Sequence, residues 1–524
     1  MYFMKNFFFI LFLIASSAKA QRNVIVIIAD DLGSDYCGFY ENHVDTAKMP
    51  NVRKLLSRGV KLNEAWSNPL CSPTRAGILT GRYSFRTGVG DVIAGAGSKE
   101  LDTSELTIPR LLKSLSSNKI KTANIGKWHV STPKPSQLKY PNIMGYDHYA
   151  GNFSGTLNSY TNWSKITNGA TSTSTNYATT EQTNDAINWV KTNRNNQMFL
   201  WLAFNAPHTP YHLPQSSLHT DASLTGTPAD ISARPKSYFK VMVEAMDTEI
   251  GRLIDSLKVL NLYDNTDIIF IGDNGDDPLV NQGTNSSKGS LYQDGVHVPF
   301  IVSGPSVASQ NRSSDALVNT VDIFATVLEL FGYSNWQNNV PANKPVDSKS
   351  VLPILKNEIS TVRDWAFTEI FKVSAASGDG KTMRNKTHKL IDFDNGTQKF
   401  YNLQKDPQEK SDLIPNKLSE EDGANYAYLC QEMTKLVGVS RFCDDNVGAQ
   451  QLSLQNEIYP NPFTDFLHVP NVFCNQKFMF TNALGQIVFE GQNLADANLT
   501  SLPLGIYHLV FEEIPKINLV FCKK

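Results

Sequence analysis

The chain has 524 residues, 41% hydrophobic and 19% charged, which excludes a disordered chain and exceeds one ordinary domain. Lys and Arg number 48 against 50 Asp and Glu, a formal net charge of -2. That balance gives no global preference for nucleic acid or for an anionic surface, so any anion site is local.

Residues 1–20 read as a signal peptide. Lys5 supplies the charge, Phe7 to Ala15 the apolar core and Ala18-Lys19-Ala20 the small-residue cleavage pattern. No later stretch is apolar for the length that a membrane span needs. The mature chain is therefore expected to be exported and soluble, or attached to a surface by other means. The six cysteines, Cys37, Cys71, Cys430, Cys443, Cys474 and Cys522, fit no zinc spacing. In an exported protein, Cys430 with Cys443 and Cys474 with Cys522 are candidate disulfides, with Cys37 left as a buried thiol.

Asn23 to Ala29 is a run of branched apolar residues, as in a parallel strand buried on both faces. It ends at Asp30-Asp31, and two carboxylates at the end of a buried strand need a partner or a metal. Met49-Pro50-Asn51 opens a helix that Gly59 closes. The run Cys71-Ser-Pro-Thr-Arg75 follows, with a short helix expected over Thr74 to Leu79 and stopped by Gly81. Cys71 then lies at a helix N-terminus beside a guanidinium, a place suited to an anion. Thr107 to Leu115 reads as a helix. Lys121 to Ile125 reads as a short strand ending in Gly126-Lys127-Trp128-His129, with Lys127 and His129 on one side of an extended chain.

Residues 151–176 are rich in Gly, Asn, Ser and Thr and are expected to form a long surface loop. Thr179-Thr-Glu-Gln182 is a capping box for a helix through Val190. Met198 to Phe204 is a buried strand ending in Asn205-Ala-Pro-His208, with His212 close by. Ser237 to Leu260 carries an apolar stripe at helical spacing, from Met242 to Leu257. Thr266 to Ile271 is another buried strand, ending in Asp273-Asn274. With Asp30 and Asp31 these make an oxygen cage whose mixture suits calcium better than octahedral magnesium. Lys288-Gly289 precedes a strand at Val298 to Val302, and Val321 to Leu330 is a helix packed on the sheet. Residues 363–446 show short strands with polar turns. After residue 446 the composition shifts, and Tyr459-Pro-Asn-Pro462 opens four short strands at 466–469, 478–481, 486–490 and 507–511. The tail closes on Lys523-Lys524. By composition alone it is a small β-sandwich, for instance a carbohydrate-binding module.

Cys71-x-Pro-x-Arg75 with its Leu79-Thr-Gly-Arg82 ending resembles the signature of the type I, formylglycine-dependent sulfatases. Gly126-Lys-Trp-His129 resembles the second signature of that family, and Asp30-Asp31 and Asp273-Asn274 its metal half-sites, all in the expected chain order. The resemblance covers residues 22–446. It implies an alkaline-phosphatase-like α/β core, with a large, mostly parallel sheet between helices, over residues 21–362. A small antiparallel subdomain over 363–446 would help to shape the substrate cleft, with Arg384 a candidate there. It also implies conversion of Cys71 to formylglycine by a maturase and one calcium ion bound by Asp30, Asp31, residue 71, Asp273 and Asn274. Arg75 would hold the hydrated nucleophile and Asp273 take its proton as it attacks sulfur. His129 would deprotonate its second hydroxyl, Lys127 and Lys288 would bind sulfate, His208 would contact the ester oxygen, and either His208 or Lys288 would assist the leaving alcohol.

The expected substrate is a sulfated carbohydrate. Neither nucleic acid nor a transmembrane segment enters this reading. Beyond a linker at 447–454, the tail over 455–524 resembles the C-terminal sorting domain of type IX secretion, which implies passage across the outer membrane and release or surface attachment. Two alternatives stay open at this point: a phosphodiesterase or phosphonate hydrolase of the same superfamily, and a non-catalytic secreted glycan-binding protein.

Overall fold

In a computed structural model the described residues are 22–40, 43–95, 97–283, 287–372, 376–414 and 418–438, with 462–467, 477–482, 486–511 and 518–523 beyond them. The proposed signal peptide, the linker, Cys443 and Cys474 lie outside them. The chain divides into two compact units, Met1–Asp422 and Gly423–Lys524.

The first unit is built on a ten-stranded sheet. Its strands are β1 (Asn23–Ala29), β2 (Gly59–Trp66), β3 (Lys121–Lys127), β4 (His148–Asn152), β5 (Trp163–Thr167), β6 (Ala170–Ser174), β7 (Met198–Ala203), β8 (Thr266–Gly272), β9 (Phe300–Ser303) and β10 (Arg312–Asn319). Their order across the sheet is β10-β2-β9-β8-β1-β7-β3-β4-β5-β6. The run β8-β1-β7-β3-β4 is parallel throughout, while β9, β5 and β6 pair antiparallel with their neighbours. All seven residues of β1 are buried, as a continuous apolar run demands of a central strand. Its alternation sends Val24, Val26 and Ile28 into one core and Ile25, Ile27 and Ala29 into the other. The long helix Pro235–Val259 and the helix Ala178–Asn193 cover one face. The helices Cys71–Thr80, Ile108–Ser116 and Ile323–Leu330 cover the opposite face.

Several expectations need correction. Residues 151–176 are not one loop: β5 and β6 form a hairpin whose turn, Asn168-Gly169, has φ of 48° and 92°. An Asn-Gly pair takes up two left-handed residues at low cost and matches the twist of a hairpin. The polar strand Ala170–Ser174, exposed over most of its length, hid the signal. The capping box at Thr179 does not form, since the helix begins two residues earlier, at Ala178 with Tyr177 as its cap. Beyond the central sheet, β11 (Ala366–Ile370), β12 (Gly380–Arg384), β13 (His388–Phe393) and β14 (Gln398–Asn402) make a four-stranded antiparallel sheet. Its Ile370, Ile391 and Tyr401 pack with Leu403 on Leu70 and Leu291. A helix that sequence reading missed, Glu420–Val437, follows.

In the second unit β15 (Phe478–Thr481), β16 (Ile487–Gly491), β17 (Gly505–Phe511) and β18 (Asn518–Lys523) form a sheet of order β16-β15-β17-β18. Phe463, Phe478, Phe480, Tyr507 and Leu509 lie in its core. Phe466 and Leu467 are not in a strand, and residues 468 and 469 fall outside the described ones. Lys523, one of the two lysines that close the tail, is buried, with its ammonium donating to the Leu499 carbonyl. Cys430 is disulfide-bonded, whereas Cys522 carries a thiol and so does not match the expected pairing with Cys474. Cys37 is a buried thiol, as expected.

Candidate active site

Four adjacent parallel strands, β8, β1, β7 and β3, end side by side, and each delivers polar residues just past its carboxyl end. That edge is where open α/β sheets place ligands. After β1 the chain carries Asp30 and Asp31; after β8, Asp273 and Asn274; after β7, the turn Asn205–His208; at the end of β3, Lys127 and His129. Asp31 takes a left-handed backbone (φ 64°), which aims its N–H at Asp273 Oδ1, 3.0 Å away. Asp is among the residues that tolerate this conformation. The Asp273 N–H in turn donates to the Ala29 carbonyl at 3.1 Å.

The helix carrying Cys71 starts at Cys71 itself, not at Thr74. Pro73 sits in its first turn, where a backbone N–H has no partner within the helix and its loss costs nothing. Gly81 ends the helix with φ 68°, as expected, and a β-carbon there would sit 2.8 Å from the Phe324 ring. All ten residues of the helix are buried. Cys71 Sγ lies 3.1 Å from His129 Nδ1. Arg75, one turn on, donates to Asp273 Oδ2 from Nε at 3.0 Å and Nη2 at 2.7 Å, and to the Lys127 carbonyl at 2.9 Å.

β3 runs two residues further than the sequence suggested, to Lys127. Gly126 (φ 99°) allows it, since a β-carbon there would lie 1.9 Å from the Ala203 carbonyl oxygen. His129 then turns into a left-handed conformation at φ 53°, so Lys127 and His129 do not share one side of an extended chain. The turn still brings both to the site. Lys127 Nζ lies 2.7 and 2.6 Å from the two Asp30 oxygens. Lys288 Nζ donates to Asp31 at 2.7 Å, and His208 Nε2 is 3.5 Å from Asp31 Oδ2.

Burial opposes ionisation of Asp31, but His208, Lys288 and Lys127 outweigh it and hold the carboxyl well below its usual range. Asp273 is raised to about 6 by burial and by the Asp30 charge, with Arg75 opposing. Burial, then Lys127 and Arg75, keep His129 well below its ordinary value, so its imidazole is neutral near pH 7 and able to accept a proton. Burial raises the Cys71 thiol against the pull of Lys127 and Lys288. Lys288 is raised by Asp31, in spite of burial, and stays charged.

Oxygen ligands converge here. Carboxylate oxygens of Asp30 and Asp273 lie within 4.8 Å of each other and of Cys71 Sγ, and Asp30, Asp31 and His208 form a second such group. Asn274 Nδ2 donates to Asp31 Oδ1 and to the Gly275 carbonyl, while its buried Oδ1 has no protein partner. Three carboxylates and an unpartnered amide oxygen fit a hard divalent cation. Lys288 also lines a cavity of about 600 Å³ with Ser290, Tyr292, Gly378 and Phe393, the last two from the small sheet region.

Two residues considered from sequence play other parts. Arg384 is buried, paired with Glu64 and placed over the Trp66 ring, in a cleft that holds none of the residues above. His212 has both nitrogens engaged, by the Pro210 carbonyl at 2.9 Å and the Tyr177 hydroxyl at 3.1 Å. Sequence reading missed Tyr160, which sits in the supposed surface loop. Its hydroxyl reaches the Asn205 and His208 carbonyls at 2.6 and 2.7 Å.

Residues 22–333, the stretch that supplies Cys71, Arg75 and the acids, lysines and histidines clustered around them, match the sulfatase family. The chain belongs to the sulfatase family. Residues 286–436 of this sulfatase match the C-terminal region of N-sulphoglucosamine sulphohydrolase, and residues 457–517 match a secretion system C-terminal sorting domain. Arylsulfatase J of Mus musculus is 26% identical over 337 residues, 60% of this chain and 53% of that protein, so the sulfatase spans about half that relative's length. N-acetylgalactosamine-6-sulfatase of Mus musculus is 26% identical over 380 residues, 66% of this chain and 68% of that protein. Among solved structures, Ps i-CgsB in complex with k-i-k-neocarrahexaose superposes with a TM-score of 0.65 at 26% identity, covering 79% of this chain and 92% of that one.

Proposed function

We propose that this sulfatase is exported and hydrolyses sulfate esters of a polysaccharide or oligosaccharide, with residue 71 matured to formylglycine beside one calcium ion. The observation that carries the proposal is Cys71 in the first turn of a buried helix, 3.1 Å from His129 and within 4.8 Å of the Asp30 and Asp273 carboxylates. A buried, unactivated thiol is a poor nucleophile. Oxidised to an aldehyde and hydrated, the same position offers two hydroxyls, one to attack sulfur and one whose ionisation lets the carbonyl re-form. Asp30, Asp31, Asp273 and Asn274 would hold the calcium, which supplies a fixed double charge that polarises sulfate oxygens.

The chain's own residues supply the rest. His129, neutral and within reach of residue 71, accepts a proton from it. Asp273, held by two hydrogen bonds from Arg75 and close to residue 71, is placed to take the other. Arg75 fixes Asp273 and the end of β3 and carries a charge toward residue 71. The charges of Asp30, Asp31 and Asp273 are balanced by those of Arg75, Lys127 and Lys288, to a sum of zero. A bound divalent cation makes the sum +2, so the loaded site attracts an anionic ester. His208, with its side chain 11% exposed, sits at the solvent side of this cluster, where a departing sugar oxygen would need a proton.

Carbohydrate is favoured as substrate because the similar proteins include an N-acetylgalactosamine-6-sulfatase and a structure in complex with k-i-k-neocarrahexaose. The sorting tail supports export through a type IX system. No helix among the described residues is long and apolar enough to cross a membrane. Two measurements on protein from a host that matures it test the proposal. Mass spectrometry of the Cys71 peptide is expected to show an aldehyde in place of the thiol, and sulfated oligosaccharides are expected to release sulfate. An active enzyme with an unmodified thiol refutes the nucleophile; phosphodiester turnover exceeding that of every sulfate ester refutes the substrate class.

A further inference from the structure

We propose that Tyr160 is a positioning residue for His208, holding it where it protonates the leaving oxygen. The inference rests on the leaving-group role proposed above for His208 and extends it to the residue that makes the role possible.

His208 lies in the turn after β7, outside any helix or strand. Its Nδ1 faces the Thr209 carbonyl at 3.0 Å and the Thr209 hydroxyl at 3.2 Å, which leaves Nε2 directed toward Asp31. The backbone of this turn is fixed from outside. The Tyr160 hydroxyl shares its proton between the carbonyls of Asn205 and His208, the two ends of the turn. The Asn205 carbonyl also accepts the His208 N–H at 3.0 Å, so the Tyr160 hydroxyl ties the turn closed from one side. Burial raises the phenol well above its ordinary value, so it donates throughout the working pH range.

Tyr160 is itself clamped. The His212 ring lies against it at 4.3 Å between centroids, and His212 is held by Tyr177 and the Pro210 carbonyl. The same connection between β4 and β5 also reaches His129: a β-carbon on Gly155 would lie 2.5 Å from the imidazole Cε1. One segment thus contacts both histidines.

The test compares a sugar sulfate with nitrophenyl sulfate, whose phenolate departs without a proton. His208→Ala is expected to slow the sugar sulfate by ~10²–10⁴-fold more than the nitrophenyl ester. Tyr160→Phe removes one oxygen and is expected to slow the sugar sulfate by about tenfold and the nitrophenyl ester little, since misplacing a reacting group is felt only in the step that uses it. In the His208→Ala background, Tyr160→Phe should change neither rate further. Equal slowing of both substrates, or no slowing, overturns the positioning role. If His208→Ala leaves the substrate ratio unchanged, the acid role of His208 fails instead. Should Tyr160→Phe not fold, His212→Ala unclamps the Tyr160 ring while keeping its hydroxyl, and a shift of the ratio in the same direction is required.

Discussion

Lys127→Met tests whether the site shares its carboxylates between lysine and metal. The Lys127 ammonium contacts both Asp30 oxygens at 2.6 and 2.7 Å, and both side chains are fully buried. Arg75 also lies near Asp30, at 3.6 Å. Removing one member of a buried pair typically costs about 3–5 kcal/mol, because the remaining charge stays desolvated. With calcium on Asp30, the carboxylate keeps a counter-charge, and the substitution is expected to cost only about 1 kcal/mol of packing. At about 1 °C per kcal/mol for a chain of this size, Lys127→Met should melt about 3–5 °C below wild type in chelator and about 1 °C below in calcium. Near-UV circular dichroism melts of both proteins under both conditions provide the comparison. An equal drop with and without calcium refutes the argument, because Asp30 would then not be a shared ligand.

Two further outcomes are expected. Burial raises the Glu369 carboxyl from its ordinary 4.5 to about 7, and its Oε1 accepts the Phe85 N–H at 2.7 Å. The folded state keeps this proton where the unfolded chain gives it up, so the associated stability is complete below pH 4.5 and is lost as pH rises through about 7. The loss is about 3 kcal/mol, and Glu369→Gln, which keeps the acceptor, should become more stable than wild type by that order between pH 5 and 8. Parallel melting profiles for the two proteins would dismiss it. Deleting residues 455–524 removes none of the proposed ligands; purified truncated enzyme should keep its turnover, while the host should fail to secrete it. Normal secretion of the truncated chain would rule out the address.

Much of the site was legible because its chemistry recurs as short local patterns. An apolar run followed at once by acids or by Lys127 and His129 says where a buried strand reaches its polar end, whichever neighbours it pairs with. Cys71, Arg75 and Gly81 are spaced within one helix, and Gly81 ends that helix for a local reason, a left-handed backbone. The strand bounds of β1 and β7 likewise follow from branched and aromatic residues with nothing polar between them. The Asn168-Gly169 turn was also local, and was hidden only because polar β6 lacks an apolar face.

What sequence did not decide is which ends meet. Asp31 and Asp273 are 242 positions apart, and they touch because β1 and β8 pair in parallel with Ala29 opposite Gly272. A shift of that register by one residue would turn the side chains of one strand to the opposite face of the sheet. The side on which His129 points depends on its left-handed backbone, which Gly126 and the approach of β3 to β7 make possible. Tyr160 has no signature at all, because its role is a hydroxyl placed against two backbone carbonyls. Local propensity and hydrophobic pattern therefore determined the elements and their polar ends. Long-range strand pairing alone brought those ends into one cluster, since only the tertiary fold fixes distances between groups that the chain leaves hundreds of residues apart.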